Sequence, residues 1–107
     1  MSAHVPPTLV TFDYETRVPP PGVPYIDCRQ LPEPAHAATD AAVGEFLCKH
    51  DPQLYARLVN ESVRLLRSGE AQVWLGCTPE RQRSSAVARA VARDIRLADS
   101  PVCIMNK

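Results

Sequence analysis

Apolar residues along this chain follow two rhythms, one short and β-like, the other with a helical period. Leu9-Val10-Thr11-Phe12 is a β-branched and aromatic run that predicts a first strand. Tyr25 to Arg29 predicts a second strand, with Ile26 and Cys28 alternating with Asp27 and Arg29. Val43, Phe46 and Leu47 then recur at helical spacing, and Thr39 or Asp40 can cap that helix, which runs to about His50. Asp51-Pro52 opens a longer helix whose stripe is Leu54, Leu58 and Leu65 with Tyr55, Val59 and Leu66; Ser68-Gly69 closes it. Val73-Trp74-Leu75 returns to strand character within Ala71 to Cys77, with Trp74 expected to be buried beside a helix. From Ser84 to about Leu97, Val87, Val91 and Ile95 recur every four residues and predict a third helix. Ser100-Pro101 breaks it, and Val102 to Met105 predicts a last short strand.

Strands alternating with helices predict an α/β domain: a small, mostly parallel sheet of three to four strands flanked by about three helices. The 107 residues suffice for one domain, with residues 1–8 expected to be a loose leader. Right-handed crossovers put the loop after Cys77 at the carboxyl edge of the sheet, where open α/β sheets bind ligands.

Composition narrows the class. Apolar residues make up 45% and charged residues 22%, ordinary for a globular chain. Eight of the eleven prolines fall in the first 34 residues, and Pro19-Pro20-Pro21 suggests an extended connection, read as a rigid linker before a ligand for another domain. Formal net charge is zero but uneven: residues 1–50 hold three basic and six acidic groups (3 − 6 = −3), residues 51–107 nine basic and six acidic (9 − 6 = +3). Such a balance lacks the basic excess of a strong nucleic-acid binder. No segment approaches the roughly 20 apolar residues of a membrane helix, and Met1 to Pro7 lacks the features of a secretory signal. Reduced cysteines and a cytoplasmic location are the expectation. Cys28, Cys48, Cys77 and Cys103 are not spaced as zinc ligands, and His4, His36 and His50 are scattered. Neither a metal nor a cofactor is expected.

Candidate chemistry concentrates after the third predicted strand. Cys77 and Arg83 have the C-x5-R spacing of cysteine-dependent phosphatases, between a strand and a helix. That layout aims backbone N–H groups and a helix N-terminus at an anion. A thiolate there needs positive potential, and a guanidinium offers a fork for phosphate oxygens. On this reading Cys77 is the thiol expected to alkylate fastest. The same residues also read as a plain helix opening, with Thr78 as cap, Pro79 first and Glu80 near the positive end of the helix.

Gly76-Cys77-Thr78 followed by Arg83-Ser84 resembles the Gly-Cys-Thr-Gly-Gly-x-His-Arg-Ser motif in the C-terminal domain of the RapZ family of RNase adapter proteins. Ile26-Asp27-Cys28-Arg29-Gln30-Leu31-Pro32-Glu33-Pro34 resembles that family's Phe-Asp-Val-Arg-Phe-Leu-Pro-Asn-Pro. Leu9 to Phe12 fits the family's opening strand and Val43 to Leu47 its first helix, so the resemblance spans about Leu9 to Ile104. In that family the domain follows a P-loop nucleotide-binding domain, and no Walker-type lysine loop occurs here. Pro79 and Glu80 stand where the family has two glycines, Gln82 where it has His, and Ala35 where a His contacts ligand, with His36 next to it. Pro79 removes an N–H donor, and Glu80 brings a negative charge to the loop.

The resemblance implies a stand-alone binding module for a phosphorylated amino sugar, the family's ligand being glucosamine-6-phosphate, or for a similar anion. Cys77, Thr78, Arg81, Gln82, Arg83 and Ser84 are the expected phosphate side, and Asp27, Arg29 and His36 the sugar side. An internal Asp27–Arg29 ion pair is the equal alternative. A phosphatase would use Cys77 as nucleophile, Arg83 as clamp and Asp27 or Asp13 as acid. A third reading is an adapter touching RNA or protein through Arg81, Arg83, Arg89, Arg93 and Arg96. Self-association is compatible with all three.

Overall fold

A computed structural model describes residues 6–34, 39–97 and 101–107. His36, residues 1–5 of the expected leader and the side chain of Arg96 lie outside the described residues. In chain order the elements are β1 (Thr8–Asp13), β2 (Tyr25–Asp27), α1 (Asp40–His50), α2 (Pro52–Arg67), β3 (Gln72–Cys77), α3 (Gln82–Leu97) and β4 (Cys103–Asn106). The four strands form one wholly parallel sheet in the order β2-β3-β1-β4. This is the expected α/β architecture, with β3 and β1 central. Leu9 pairs in register with Val73, and Thr11 with Leu75. Among the described residues no helix is long and apolar enough to cross a membrane.

Local chemistry accounts for the helix boundaries. The Thr39 hydroxyl accepts from the Ala42 N–H at 3.2 Å, and the Asp51 carboxylate from the Leu54 N–H at 3.2 Å, each supplying one acceptor to an unpaired first turn. Pro52 takes the first position of α2. Gly69, with φ 104°, turns the chain out of α2 in the left-handed region.

The alternation of β1 and β3 assigns two different cores. Leu9, Val73, Leu75 and Cys77 face the helices, against Val43 and Leu47 of α1, Leu58 and Leu66 of α2, and Val87 and Val91 of α3. Each such Leu or Val contributes about 1.5–3 kcal/mol by leaving water. Val10, Phe12 and Trp74 face the other way and form a second, smaller cluster with Tyr14 and Val23. Trp74 is therefore buried as expected, but on the face away from the helices. It packs on Phe12 with ring centroids 5.5 Å apart, and its indole N–H donates to the Gln72 side chain at 3.0 Å. Phe12 and Tyr14 meet edge to face over Gly76. A Cβ on Gly76 would overlap the Phe12 ring and come within 2.6 Å of Tyr14, so only glycine fits there.

Two expectations change. The second strand ends at Asp27 rather than Arg29, because the Asp27 carboxylate accepts the Arg29 N–H at 2.9 Å and turns the chain. The helix after Cys77 starts at Gln82, so Thr78-Pro79-Glu80 is not a helix opening. Those three residues form a loop with a cis Thr78–Pro79 bond and Glu80 at φ 61°.

Candidate functional site

The carboxyl ends of β1 and β3 lie side by side, with Asp13 registered against Cys77. The loop leaving β3 curls back over β1, and its donors and acceptors are largely engaged within the protein. Cys77 is fully buried; its thiol donates to the Glu80 carbonyl at 3.2 Å and accepts from the Ser84 N–H at 3.4 Å. The sulfur thus caps the start of α3 from inside. Ser84 is equally buried, and its hydroxyl donates to the Arg81 carbonyl at 3.1 Å.

Arg83 is 5% exposed and points inward. Its guanidinium donates to the carbonyls of Arg29 at 2.9 Å, Leu31 at 2.7 Å and Thr78. These carbonyls belong to the two loops that follow β2 and β3. Arg83 therefore ties the loops together, and its fork is filled by backbone oxygens where a phosphate clamp would need it open.

An internal carboxylate occupies the loop's donor. Asp13 accepts the Glu80 N–H at 2.8 Å and the Glu15 N–H at 2.9 Å. The bond from Glu15 is the main influence holding the Asp13 carboxyl below its ordinary range, with Glu80, Thr78 and the nearby Arg81 adding to it. The Thr78 hydroxyl donates to Glu15 at 3.0 Å. Glu80 holds the left-handed conformation that glycine adopts freely, at a cost of about 1–2 kcal/mol, and so keeps its N–H aimed at Asp13. The strand-loop-helix layout does point donors at an anion, and that anion is Asp13.

Asp27 and Arg29 pair with one another. The Arg29 Nε and NH2 donate to the two Asp27 oxygens at 3.0 and 2.8 Å, and the guanidinium lies 3.8 Å above the Tyr14 ring. The Arg29 bond holds the Asp27 carboxyl low. Burial pushes the Tyr14 hydroxyl up to about 12. These residues line a notch with Pro19-Pro20-Pro21 and Tyr25, on the opposite sheet face from Cys77. The proline run thus packs beside its own tyrosines.

Outside the closed loop, a depression of about 420 Å³ opens at the carboxyl edge of the sheet. Asp13, Thr16, Asp40, Glu80, Arg81, Gln82, Ser85 and Lys107 line it. Of the sequence-predicted site residues that are described, Asp13, Arg81 and Gln82 line this surface. Cys77, Arg83 and Ser84 lie beneath it, and Asp27 and Arg29 line the other notch. Sequence reasoning missed Thr16, Asp40, Ser85 and Lys107 as lining residues. Asp40 was read as a helix cap, and Lys107 comes from the far end of the chain. Among the described residues no group of three His, Cys, Asp or Glu could hold a metal.

On helix α3, Arg89 is exposed and lies 3.8 Å from Asp40, Arg93 is exposed, and Arg83 is buried. Among the described residues, therefore, these arginines do not form one continuous exposed stripe. Compared with models of known protein families the chain matches none, and compared with curated proteins it likewise finds no match.

Proposed function

We propose that the domain is a binding module for a small zwitterionic, hydroxylated ligand, of which a phosphorylated amino sugar is the leading example. The observation that carries this is the mixed charge of the depression at the carboxyl edge. Arg81 and Lys107 face the three carboxylates of Asp13, Asp40 and Glu80, with Thr16, Gln82 and Ser85 as neutral partners. A simple anion would meet two cations and three repelling carboxylates there. A ligand with a phosphate at one end and an ammonium among hydroxyls at the other satisfies both signs. The depression, at about 420 Å³, has room for a monosaccharide phosphate and lies where open α/β sheets take ligands. The resemblance to the RapZ family supports the ligand class. The buried Cys77 and the engaged Arg83 favour binding over thiol-based phosphate hydrolysis, which needs an accessible thiolate and an open fork.

A thermal-shift comparison tests the reading. Glucosamine-6-phosphate should raise the melting temperature more than glucose-6-phosphate or glucosamine, and inorganic phosphate should raise it least. Arg81→Ala should remove the preference for phosphate, and Asp40→Asn the preference for the amine. Equal shifts with phosphate, sulfate and all sugars, or no shift with any of them, would overturn the proposal.

A further inference from the structure

A second space opens among the three helices. A groove of about 380 Å³ follows the seam between α1 and α3, with α2 behind it. Its floor is made of small residues, Gly44 of α1 and the buried Ala86 and Ala90 of α3. Tyr55 of α2 reaches this floor from below. It is 8% exposed, and its hydroxyl rests against Gly44, 3.4 Å from where a Cβ would stand. Among the described residues nothing accepts a hydrogen bond from that hydroxyl, although a buried tyrosine ordinarily finds a partner. Burial raises it above the usual tyrosine range, with the nearby Cys48 adding and Arg93 opposing, so at neutral pH it stays protonated. It is an open donor aimed at whatever occupies the groove.

The walls carry both signs. Arg89 and Arg93, one turn apart on α3, line one side, and Asp40 and Glu45 of α1 line the other. Arg89 and Asp40 approach to 3.8 Å with both side chains partly in solvent, a loose contact that an incoming charge can replace. Arg93 and Glu45 pair with no described residue. Cys48, a free and exposed thiol, borders the same space beside Tyr55. A guest suited to these walls carries carboxylates for the arginines, an ammonium for the acids, an acceptor for Tyr55 and a sulfur for Cys48. A short peptide built around a thiol has all four, and the groove has room for it.

We propose that this groove is a modification site, at which Cys48 forms a mixed disulfide with a small thiol peptide that bears carboxylates and an ammonium. The Cys48 thiolate attacks one sulfur of the peptide's disulfide form. That S–S bond breaks, a new one joins Cys48 to the peptide, and the other half leaves as a thiolate that takes up the proton Cys48 lost. Cys48 is oxidised and the leaving half reduced, so the disulfide is the only oxidant required. Cys48, Tyr55 and Arg93 lie outside the sheet-edge depression, and the proposal stands independently of the ligand assigned there.

Three disulfides test this on the folded protein at neutral pH: glutathione disulfide, the neutral 2-hydroxyethyl disulfide, and cystamine, which has ammonium groups only. Peptide mapping reads the rate at Cys48 against that at Cys103, an exposed thiol on β4 that serves as internal reference. Differences in leaving-group chemistry act on both thiols alike and cancel in this ratio. The ratio should be at least ~10-fold higher with glutathione disulfide than with the neutral reagent, because charge-assisted bonds hold the peptide at Cys48 alone. Arg93→Ala, an exposed change, and Tyr55→Phe, which keeps the ring, should each remove most of that preference while the melting temperature is retained. Arg93→Glu should turn the preference toward cystamine, an outcome that fold damage cannot produce. Equal ratios with all three disulfides, or a glutathione preference that survives both Arg93→Ala and Tyr55→Phe, would overturn the proposal.

Discussion

Replacing Arg83 with methionine should destabilise the domain severely, and the reason lies in three backbone oxygens. Methionine keeps a long apolar stem but offers no donor. The carbonyls of Arg29, Leu31 and Thr78 then lose their partner at once. A hydrogen bond to a charged group contributes about 1.5–3 kcal/mol, and leaving a buried acceptor unmade adds to the loss. The simple sum of three overstates it, because Arg29 is exposed and its carbonyl regains water. A net loss of about 3–5 kcal/mol follows. For a domain of this size about 4–8 °C of melting temperature goes with each kcal/mol, so the midpoint should fall by at least ~12 °C. Urea denaturation read through Trp74 fluorescence measures it directly, since Trp74 is 7% exposed and moves into water on unfolding. The transition midpoint should fall while its slope is kept. Arg83→Lys should recover only part of the loss, because a compact ammonium cannot span carbonyls on two loops. A loss below about 1 kcal/mol, the range of an ordinary surface change, would refute the tie between the loops. A stabilised Arg83→Met that no longer responds to phosphate would mean the guanidinium is an open anion clamp.

Two further outcomes follow from the same geometry. Iodoacetamide at neutral pH should label Cys48 and Cys103 quickly in the folded protein and reach Cys28 and Cys77 only on unfolding, because both of the latter are fully enclosed and burial raises the Cys28 thiol. Peptide mapping reads this, and rapid labelling of native Cys77 would contradict its enclosure. The Asp13 carboxyl lies below its ordinary value of 3.8, so its stabilisation is complete above that value and fades as pH falls through the folded one. Asp13→Asn should therefore be less stable near neutrality yet lose less stability on acidification below about pH 4. The Asp27 carboxyl, lowered by Arg29, accounts for part of the acid sensitivity that remains. Parallel acid sensitivity in wild type and variant would remove Asp13 from that role.

The element order was legible because burial imposes local periods on the sequence. The stripe of α2, the four-residue recurrence in α3 and the β-branched runs of β1 and β3 each encode which side of one element leaves water. The caps were legible for the same reason: Thr39 and Asp51 act within three residues of their own positions. Alternation of strands and helices then left a parallel sheet as the simple arrangement. The candidate site was legible only as a location, the carboxyl edge after Cys77. What its residues do there depends on partners far along the chain. Asp13 meets Glu80 across 67 positions, Arg83 meets Leu31 across 52, and Lys107 reaches the same depression from the last strand. The C-x5-R spacing is the same whether the arginine fork is open or filled, so it could not say which. Only the packed loops decide, because a guanidinium in a closed space takes whichever acceptors the fold brings within reach. The side of Trp74 was decided in the same way. Its burial could be read from its neighbours. The sheet face it occupies depended on the register of β3 against β1, which also left Gly76 without a side chain where Phe12 and Tyr14 needed the space.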